Sequence, residues 1–169
     1  MNIVETEHLI LRTFSLQDAD FILRLVNEPS WIANIGDHEV ANLPEARDYI
    51  RNGPLAMYAE YGFSLCMVEL KVGRVPIGVC GIVKRDSLPD PDLGFALLPE
   101  FWGKGHAYEA AFAILEFGRA QLGIARILAI SLPHNTRSIK LLERLGFGFV
   151  RMFRADDKPP ELRLYMQDL

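Results

Sequence analysis

The sequence predicts an α/β domain in which helices cover a mixed β-sheet, and three observations lead to this prediction. Apolar, β-branched runs typical of strands alternate with segments of helical periodicity, in the order βααβββαβαββ. The chain has 169 residues, of which 50% are hydrophobic and 24% charged, so it can bury one sizeable core. Neither an internal repeat nor a linker interrupts the pattern, which favours a single domain over residues 1–169.

The first third of the chain predicts one strand and two helices. Residues 9–14 have the pattern of a strand, and Ser15 is a good starting residue for a helix over 18–26. Residues 27–43 show no regular pattern, and a second helix with a proline in its first turn is predicted over 44–52. Irregular segments of this length are often functional.

Three strands follow in the middle of the chain. The apolar runs 63–70 and 76–84 are joined by a short glycine-containing turn, residues 71–74, which predicts an antiparallel hairpin. A third strand is predicted over 93–98, and Gly94 inside it suggests a β-bulge.

The last third predicts two helices and three strands. A helix over 105–122 carries small residues on its apolar face, which suits close packing on a sheet. A strand over 125–132, a helix over 136–145 and strands over 147–153 and 162–166 complete the pattern.

Composition excludes several classes of function. The net charge is −4 and no run of Lys or Arg tracks a phosphate backbone, so nucleic acid is not expected as a partner. No apolar run approaches the roughly 20 residues that span a bilayer, and the first residues lack a signal-peptide pattern, which predicts a cytoplasmic protein without membrane contact. Cys66 and Cys80 lie in apolar runs and are expected to be reduced core thiols rather than metal ligands.

The most informative segment is residues 97–110, where a strand ends and a turn with Gly103 and Gly105 leads directly into a helix. The first N–H groups of a helix have no partner within it, so a pyrophosphate can bind there, and glycine lets it approach the backbone. Two glycines alone also fit an ordinary tight turn. Because the patterns of dinucleotide folds and of P-loops are absent, a different pyrophosphate ligand is indicated.

Residues 102–107, Trp-Gly-Lys-Gly-His-Ala, resemble the acetyl-CoA pyrophosphate loop of the GNAT acetyltransferases, whose pattern is Gln or Arg, two residues, Gly, one residue, then Gly or Ala. Trp102 replaces the usual first residue, as in a branch resembling ribosomal-protein serine/alanine N-terminal acetyltransferases, to which residues 6–12 are also similar. The resemblance covers the whole chain and implies a central mixed, mostly antiparallel twisted sheet with helices on both faces. The coenzyme A contacts that it implies are Trp102, Gly103, Lys104, Gly105, His106 and Ala107.

Residues 135–147 resemble the family's second motif, an Asn-x-x-Ser or Asn-x-x-Ala helix that ends in Gly-Phe. Asn135 is well placed to cap this helix, and the resemblance adds a hydrogen bond from it to pantetheine and a contact from Ser138. Residues 92–98 resemble the family's splayed central strand, in which a bulge frees backbone groups for the pantetheine arm. The contacts implied on this strand come from Phe95, Ala96 and Leu97, with an N–H near Leu97 stabilising the oxyanion.

The resemblance implies transfer of an acetyl group from acetyl-CoA, as cosubstrate, to a primary amine by direct attack in a ternary complex, without a metal. The tyrosine with which many members protonate the leaving thiolate is replaced by Leu142. Ser138 is the candidate acid, although a serine on a helix surface also fits the pattern. Asp92 is the candidate general base acting through water, and the alternative is a carboxylate in a solvated turn.

The acceptor pocket is expected in the irregular segment 27–43, where related enzymes admit their acceptor. Trp31, Asp37 and His38 are the candidate substrate-binding residues, and Trp31 fits equally well as a core residue. The sequence leaves open whether the acceptor is a protein N-terminus or a small-molecule amine, and whether the protein is a monomer or a homodimer. The competing function is a non-catalytic acyl-CoA-binding or sensor domain that keeps both motifs without the chemistry.

Overall fold

The computed structural model describes residues 1–169 and contains an eight-stranded open sheet. The strands lie in the order β1-β2-β3-β4-β5-β6-β8-β7, and every neighbouring pair is antiparallel except β5 and β6. The mixed, mostly antiparallel sheet is therefore confirmed. The strands are β1 (Asn2–Glu5), β2 (Leu9–Arg12), β3 (Leu65–Leu70), β4 (Val75–Val83), β5 (Asp92–Leu97), β6 (Arg126–Ser131), β7 (Gly148–Phe153) and β8 (Leu162–Asp168).

Six α-helices accompany the sheet, and none has the length and apolarity that a membrane-spanning helix needs. They are α1 (Ala19–Val26), α2 (Pro29–Asn34), α3 (Leu43–Ile50), α4 (Ala56–Tyr61), α5 (His106–Leu122) and α6 (Thr136–Arg144).

The sequence prediction was wrong in three places in the first third of the chain. The segment 27–43 contains helix α2, which begins at Pro29, a residue suited to the first helical position. Helical backbone continues past the predicted end at residue 52, because a π-helical turn over Arg51–Leu55 accommodates Pro54 and leads into α4. Strand β1 was missed because four residues at a sheet edge give little periodic signal.

Helices lie on both faces of the sheet, with a separate apolar core on each side. Helices α5 and α6 cover one face, where Leu93 and Leu97 of β5 join the core. Helices α1 to α3 cover the other face, where Ala96 of the same strand packs. The close approach of α5 expected from its small residues is confirmed, because a Cβ added at Gly118 would lie 2.8 Å from Ile82 Cδ1 on β4.

The expected β-bulge at Gly94 is absent. The pairing of β4 with β5 runs without a register shift, and Gly94 lies directly opposite Gly81. Gly94 instead serves close packing, since a Cβ there would approach Leu65 Cδ2 to 3.2 Å. The irregularity in this part of the sheet lies in β4, where Ile77 is left without a register partner between the pairs Val68–Gly78 and Glu69–Pro76.

The two cysteines face each other across β3 and β4 as register partners. Both are free thiols and both are buried, which confirms the prediction of reduced core thiols. Burial raises the pKa of the Cys66 thiol to about 12 and raises the pKa of Cys80 as well, with the neighbouring Cys66 adding to the effect on Cys80.

A buried charge network joins β2, β3 and the start of α1. The guanidinium of Arg12 on β2 donates to both carboxylate oxygens of Asp18, at 2.8 and 3.0 Å, and its Nε donates to Glu69 Oε1 at 2.6 Å. Glu69 also pairs with Arg74 at 2.8 Å. Burial alone would raise the pKa of Asp18, but the hydrogen bonds from Arg12 and Ser15 outweigh it and hold that pKa below its usual value.

We predict that Arg12→Met destabilises the fold by about 3 kcal/mol, because it leaves two buried carboxylates with one fewer cation. Urea unfolding should show a lower midpoint with an unchanged slope. Arg119→Met is the matched control, since Arg119 forms a solvent-exposed pair with Glu116 on α5, and it should leave the midpoint unchanged. Equal midpoints for the two variants would contradict the structural role of the network.

Candidate active site

Strands β5 and β6 are parallel neighbours that pair at a single position. Asp92 is the register partner of Leu128, and the Leu128 N–H donates to the Pro91 carbonyl at 2.9 Å. Beyond this bridge no further pairing occurs, although β5 remains paired with β4 and β6 with β8. The strands therefore separate toward their carboxyl ends and leave an opening in the sheet, which we call the gap.

The peptide groups of alternate β5 residues face the gap. In an antiparallel pair, hydrogen-bonding residues alternate along each strand, and the Leu98 N–H donates to the Ile77 carbonyl next to β4 at 2.9 Å. By the same alternation the peptide groups of Ala96 are directed to β4, and those of Phe95 and Leu97 are directed to the gap. The predicted backbone contribution thus has free groups at Phe95 and at the Leu97 N–H, whereas the Leu97 carbonyl accepts a side-chain hydrogen bond and Ala96 is paired with β4.

A turn with two glycines lies between β5 and α5, at the open end of the gap. We call residues 102–107 the glycine turn. Gly103 and Gly105 have φ values of +71° and +84°, which other residues rarely adopt, and a Cβ added at either would meet no atom within 4 Å. Gly105 is the N-cap of α5 and supplies no side chain to cap it, so the first N–H groups of the helix have no capping partner. Lys104 is exposed beside them, and His106 Nδ1 is buried without a hydrogen-bond partner.

Trp102 fastens the glycine turn to the rest of the fold. Its Nε1–H donates to the Leu97 carbonyl at 2.9 Å, and the guanidinium of Arg137 on α6 lies 4.4 Å from its ring centroid. Ala107 at the other end of the turn packs against the core beneath α5. The side chain of Trp102 therefore holds both helix starts near the end of β5.

The first turn of α5 is also anchored from the connection between β1 and β2. Glu109 Oε1 accepts hydrogen bonds from Thr6 Oγ1 at 2.5 Å and from the His8 N–H at 2.9 Å. Its other oxygen lies 3.0 Å from His8 Nδ1, and this hydrogen bond is the main cause that raises the pKa of His8. The position of the glycine turn is thus fixed at both ends.

Helix α6 begins at the other side of the gap. Asn135 Oδ1 accepts the Ser138 N–H at 3.3 Å, which confirms Asn135 as the N-cap and leaves its amide nitrogen without a partner. The hydroxyl of Ser138 also has no hydrogen-bond partner in the protein, and the side chain is half-buried. Leu142, one turn later, is buried in the core and has no space for the ring of a tyrosine.

Asp92 is buried, so the alternative of a solvated turn was wrong. Only 1% of it is exposed, and Arg85 Nε contacts both carboxylate oxygens at 3.0 and 3.1 Å. Burial raises the pKa of Asp92 to about 6, and the charges of Arg85 and Lys84 limit the rise. A carboxyl with this pKa can exchange a proton near neutral pH.

Three aromatic residues lie together on the α1 to α3 side of the sheet, and we call Trp31, His38 and Tyr49 the aromatic cluster. The His38 ring centroid is 5.7 Å from that of Trp31 and 5.4 Å from that of Tyr49. Trp31 is 95% buried within a core, yet its Nε1 has no hydrogen-bond partner. Asp37 is exposed, and its carboxylate accepts the Glu39 N–H at 2.8 Å.

The predicted site residues thus fall into two groups on opposite sides of the sheet. Asp92 alternates with the α5-facing residues of β5 and so shares its face with the aromatic cluster, whereas Ser138 lies on α6 at the other face. Sequence reasoning missed Tyr49 and Arg85. The pairing of Val83 with Asp92 brings the next residues of the β4–β5 connection, including Arg85, close to Asp92. That register is the signal that could have found Arg85.

No three His, Cys, Asp or Glu side chains come together in a way that could hold a metal ion.

Comparison with known proteins identifies relatives along most of the chain. Residues 8–148 match the family described as the acetyltransferase (GNAT) domain. The uncharacterized N-acetyltransferase p20 of Bacillus licheniformis is 32% identical over 161 residues, which make up 94% of this chain and 89% of that relative.

Solved structures have the same fold. An acetyltransferase from Agrobacterium tumefaciens str. C58 has a TM-score of 0.84 at 24% identity, covering 98% of this chain and 94% of its own. The ribosomal L7/L12 alpha-N-protein acetyltransferase RimL, in complex with coenzyme A, has a TM-score of 0.84 at 15% identity, covering 100% and 98% of the two chains. The resemblance and the fold implied by the two motifs are therefore confirmed.

Proposed function

Because the chain belongs to the GNAT acetyltransferase family and uses acetyl-CoA as an N-acetyltransferase, we propose that it acetylates a primary amine by direct attack in a ternary complex. The observation that carries this proposal is the gap between β5 and β6, which joins the open helix start of α5 to the buried Asp92. We take residues 1–169 as one catalytic domain. Family membership favours an enzyme over the competing non-catalytic sensor.

Acetyl-CoA fits the gap and the glycine turn. The free N–H groups at the start of α5 would bind its pyrophosphate, with Gly103 and Gly105 allowing close approach and Lys104 and His106 adding polar contacts. The pantetheine arm would lie in the gap. There it would pair with the free N–H of Leu97 and the free carbonyl of Phe95 as an added strand does, and with the free amide of Asn135.

The acetyl group would then lie beyond Leu97, toward Asp92. A free N–H near Leu97, that of Phe95, donates to the thioester carbonyl oxygen while the amine nitrogen attacks the carbonyl carbon and the carbon–sulfur bond breaks. Asp92, through a water molecule, takes the proton from the amine, and the Ser138 hydroxyl donates a proton to the departing sulfur and regains one from water. Direct attack is supported by the burial of both thiols, whose raised pKa values make either a poor acetyl acceptor.

The acceptor would enter from the face that carries the aromatic cluster. Trp31, His38 and Tyr49 lie on the same face of the sheet as Asp92, and Asp37 flanks them in the solvent. A primary amine is the acceptor class that fits a base at this position. One structural neighbour, by its description, acetylates the α-amine of a ribosomal protein, which makes a protein N-terminus one acceptor to test beside small-molecule amines.

The first prediction tests the coenzyme site. Excess acetyl-CoA should raise the melting temperature, since 100-fold saturation adds about 2.7 kcal/mol of stability, and Gly105→Val should abolish this rise by placing a branched side chain where the pyrophosphate binds. Gly123→Val is the matched control, because Gly123 ends the same helix with φ +65° and an equally open Cβ position. It suffers similar strain and should keep its affinity for acetyl-CoA in calorimetry. Equal loss in both folded variants would remove the glycine turn from the site.

The second prediction concerns the leaving group. Ser138→Ala should lower kcat about 10- to 100-fold with little change in melting temperature, because its N–H cap to Asn135 is a backbone group and survives the substitution. The release of coenzyme A under saturating acetyl-CoA measures kcat. Ser131→Ala, a change of the same kind at the end of β6, is the control. A folded Ser138→Ala enzyme with wild-type kcat would exclude Ser138 as the acid.

The third prediction concerns the pH profile. Asp92 must be ionised to accept a proton, and its pKa is about 6, so wild-type kcat/KM should rise as the pH increases through 6. Asp92→Asn resembles the protonated enzyme at every pH. The ratio of wild-type to variant kcat/KM should therefore be about 100 above pH 7, fall to about 10 at pH 5 and approach one only near pH 4. A ratio that does not change with pH would show that Asp92 has a structural role only.

A further inference from the structure

Arg85 carries hydrogen-bond donors that no group in the protein uses. A guanidinium has five N–H donors in a fixed plane. Arg85 Nε contacts the two oxygens of Asp92, and neither terminal nitrogen makes a hydrogen bond. The side chain is 46% exposed, so these terminal groups are accessible while the Nε end is fixed on a buried carboxylate.

The free end of Arg85 lies near the aromatic cluster. Burial lowers the pKa of His38, and the charge of Arg85 lowers it further while Asp37 opposes the change. Burial raises the pKa of Tyr49, and the same Arg85 charge opposes that rise. Arg85 contacts Asp92, whose side chain is on the same face of the sheet as the aromatic cluster, so the guanidinium lies on that face as well.

This region has more unused donors than acceptors. Trp31 Nε1–H is buried without a partner, and the terminal nitrogens of Arg85 have none. Lys84 adds a second positive charge, with its Nζ held by the carbonyls of Arg85 and Leu88. The negative groups in this region are the buried carboxylate of Asp92 and the exposed carboxylate of Asp37. A buried donor without a partner, next to accessible guanidinium nitrogens that make no hydrogen bond, favours a ligand that brings hydrogen-bond acceptors and a negative charge.

We propose that the terminal amino groups of Arg85 bind a carboxylate carried by the acceptor, so that the enzyme prefers small amines with a carboxylate close to the amine, as in α-amino acids. The proposal rests on the proposed acetyl transfer and names its substrate class. Arg85 Nε is 3.0 Å from Asp92, which takes the amine proton, so one rigid guanidinium sets a short spacing between carboxylate and amine. A protein N-terminus has an amide at that position and would be a poorer substrate.

The experiment compares matched acceptors. A panel of α-amino acids, each as the free acid and as its primary amide, is assayed by release of coenzyme A at fixed saturating acetyl-CoA. For the amino acid that is acetylated best, wild-type kcat/KM should be about 10- to 100-fold higher for the acid than for its amide, which is the range of a charge-assisted hydrogen bond. The difference should come from a lower KM for the acid. Arg85→Gln should bring the ratio close to one, and Arg85→Lys should keep part of it.

Comparing the acid-to-amide ratio of wild type with that of the variant separates binding by Arg85 from its effect on Asp92, because the different basicities of the two amines enter both ratios alike. Arg119→Gln, on the exposed surface of α5, is the control and should leave the ratio unchanged. Amides acetylated as fast as their acids, or an acid preference that survives Arg85→Gln, would overturn the role of Arg85 while leaving acetyl transfer intact. Absence of transfer to every member of the panel, with acetyl-CoA still bound, would overturn both proposals.

Discussion

The site depends on the one bridge between Asp92 and Leu128, where two parallel strands meet and then part. Each strand is already paired along its other edge, β5 with β4 and β6 with β8, so the sheet stays intact while its middle opens. The separation leaves peptide groups of β5 without a strand partner, and such groups are costly unless something else pairs with them. An extended ligand arm is the natural partner, and the bridge determines where that arm must stop.

Sequence alone predicted the parts of the site that are built from consecutive residues. Positive φ values at Gly103 and Gly105 and the cap at Asn135 are local properties. Each requires a particular residue type, which is visible in the sequence. The alternation of strands and helices likewise follows from local periodicity, which is why the fold was confirmed. Local patterns gave a wrong prediction at Pro54. A proline ring predicts that a helix ends before it, but the π-helical turn accommodates Pro54 and the helical backbone continues.

The proposed acceptor side could not be predicted in the same way, because it is assembled by register and packing. Asp92 follows a proline in a polar stretch and has the pattern of a solvated turn, but the regular pairing of β4 with β5 buries it against Arg85. Tyr49 joins His38 only because α3 packs on the same face as the preceding loop. At Gly94 the sequence predicted a bulge where the structure has close packing. A glycine in a strand is typical of both, and only the fold distinguishes a bulge from close packing.

The facing pair Cys66 and Cys80 has a practical consequence for assays. Thiol reagents such as aromatic disulfides react with thiolates, and both side chains are buried and held protonated at ordinary pH. The native protein is therefore expected not to react with such reagents. A colour change during turnover then counts the coenzyme A released, and a slow colour change without substrate reports opening of β3 and β4.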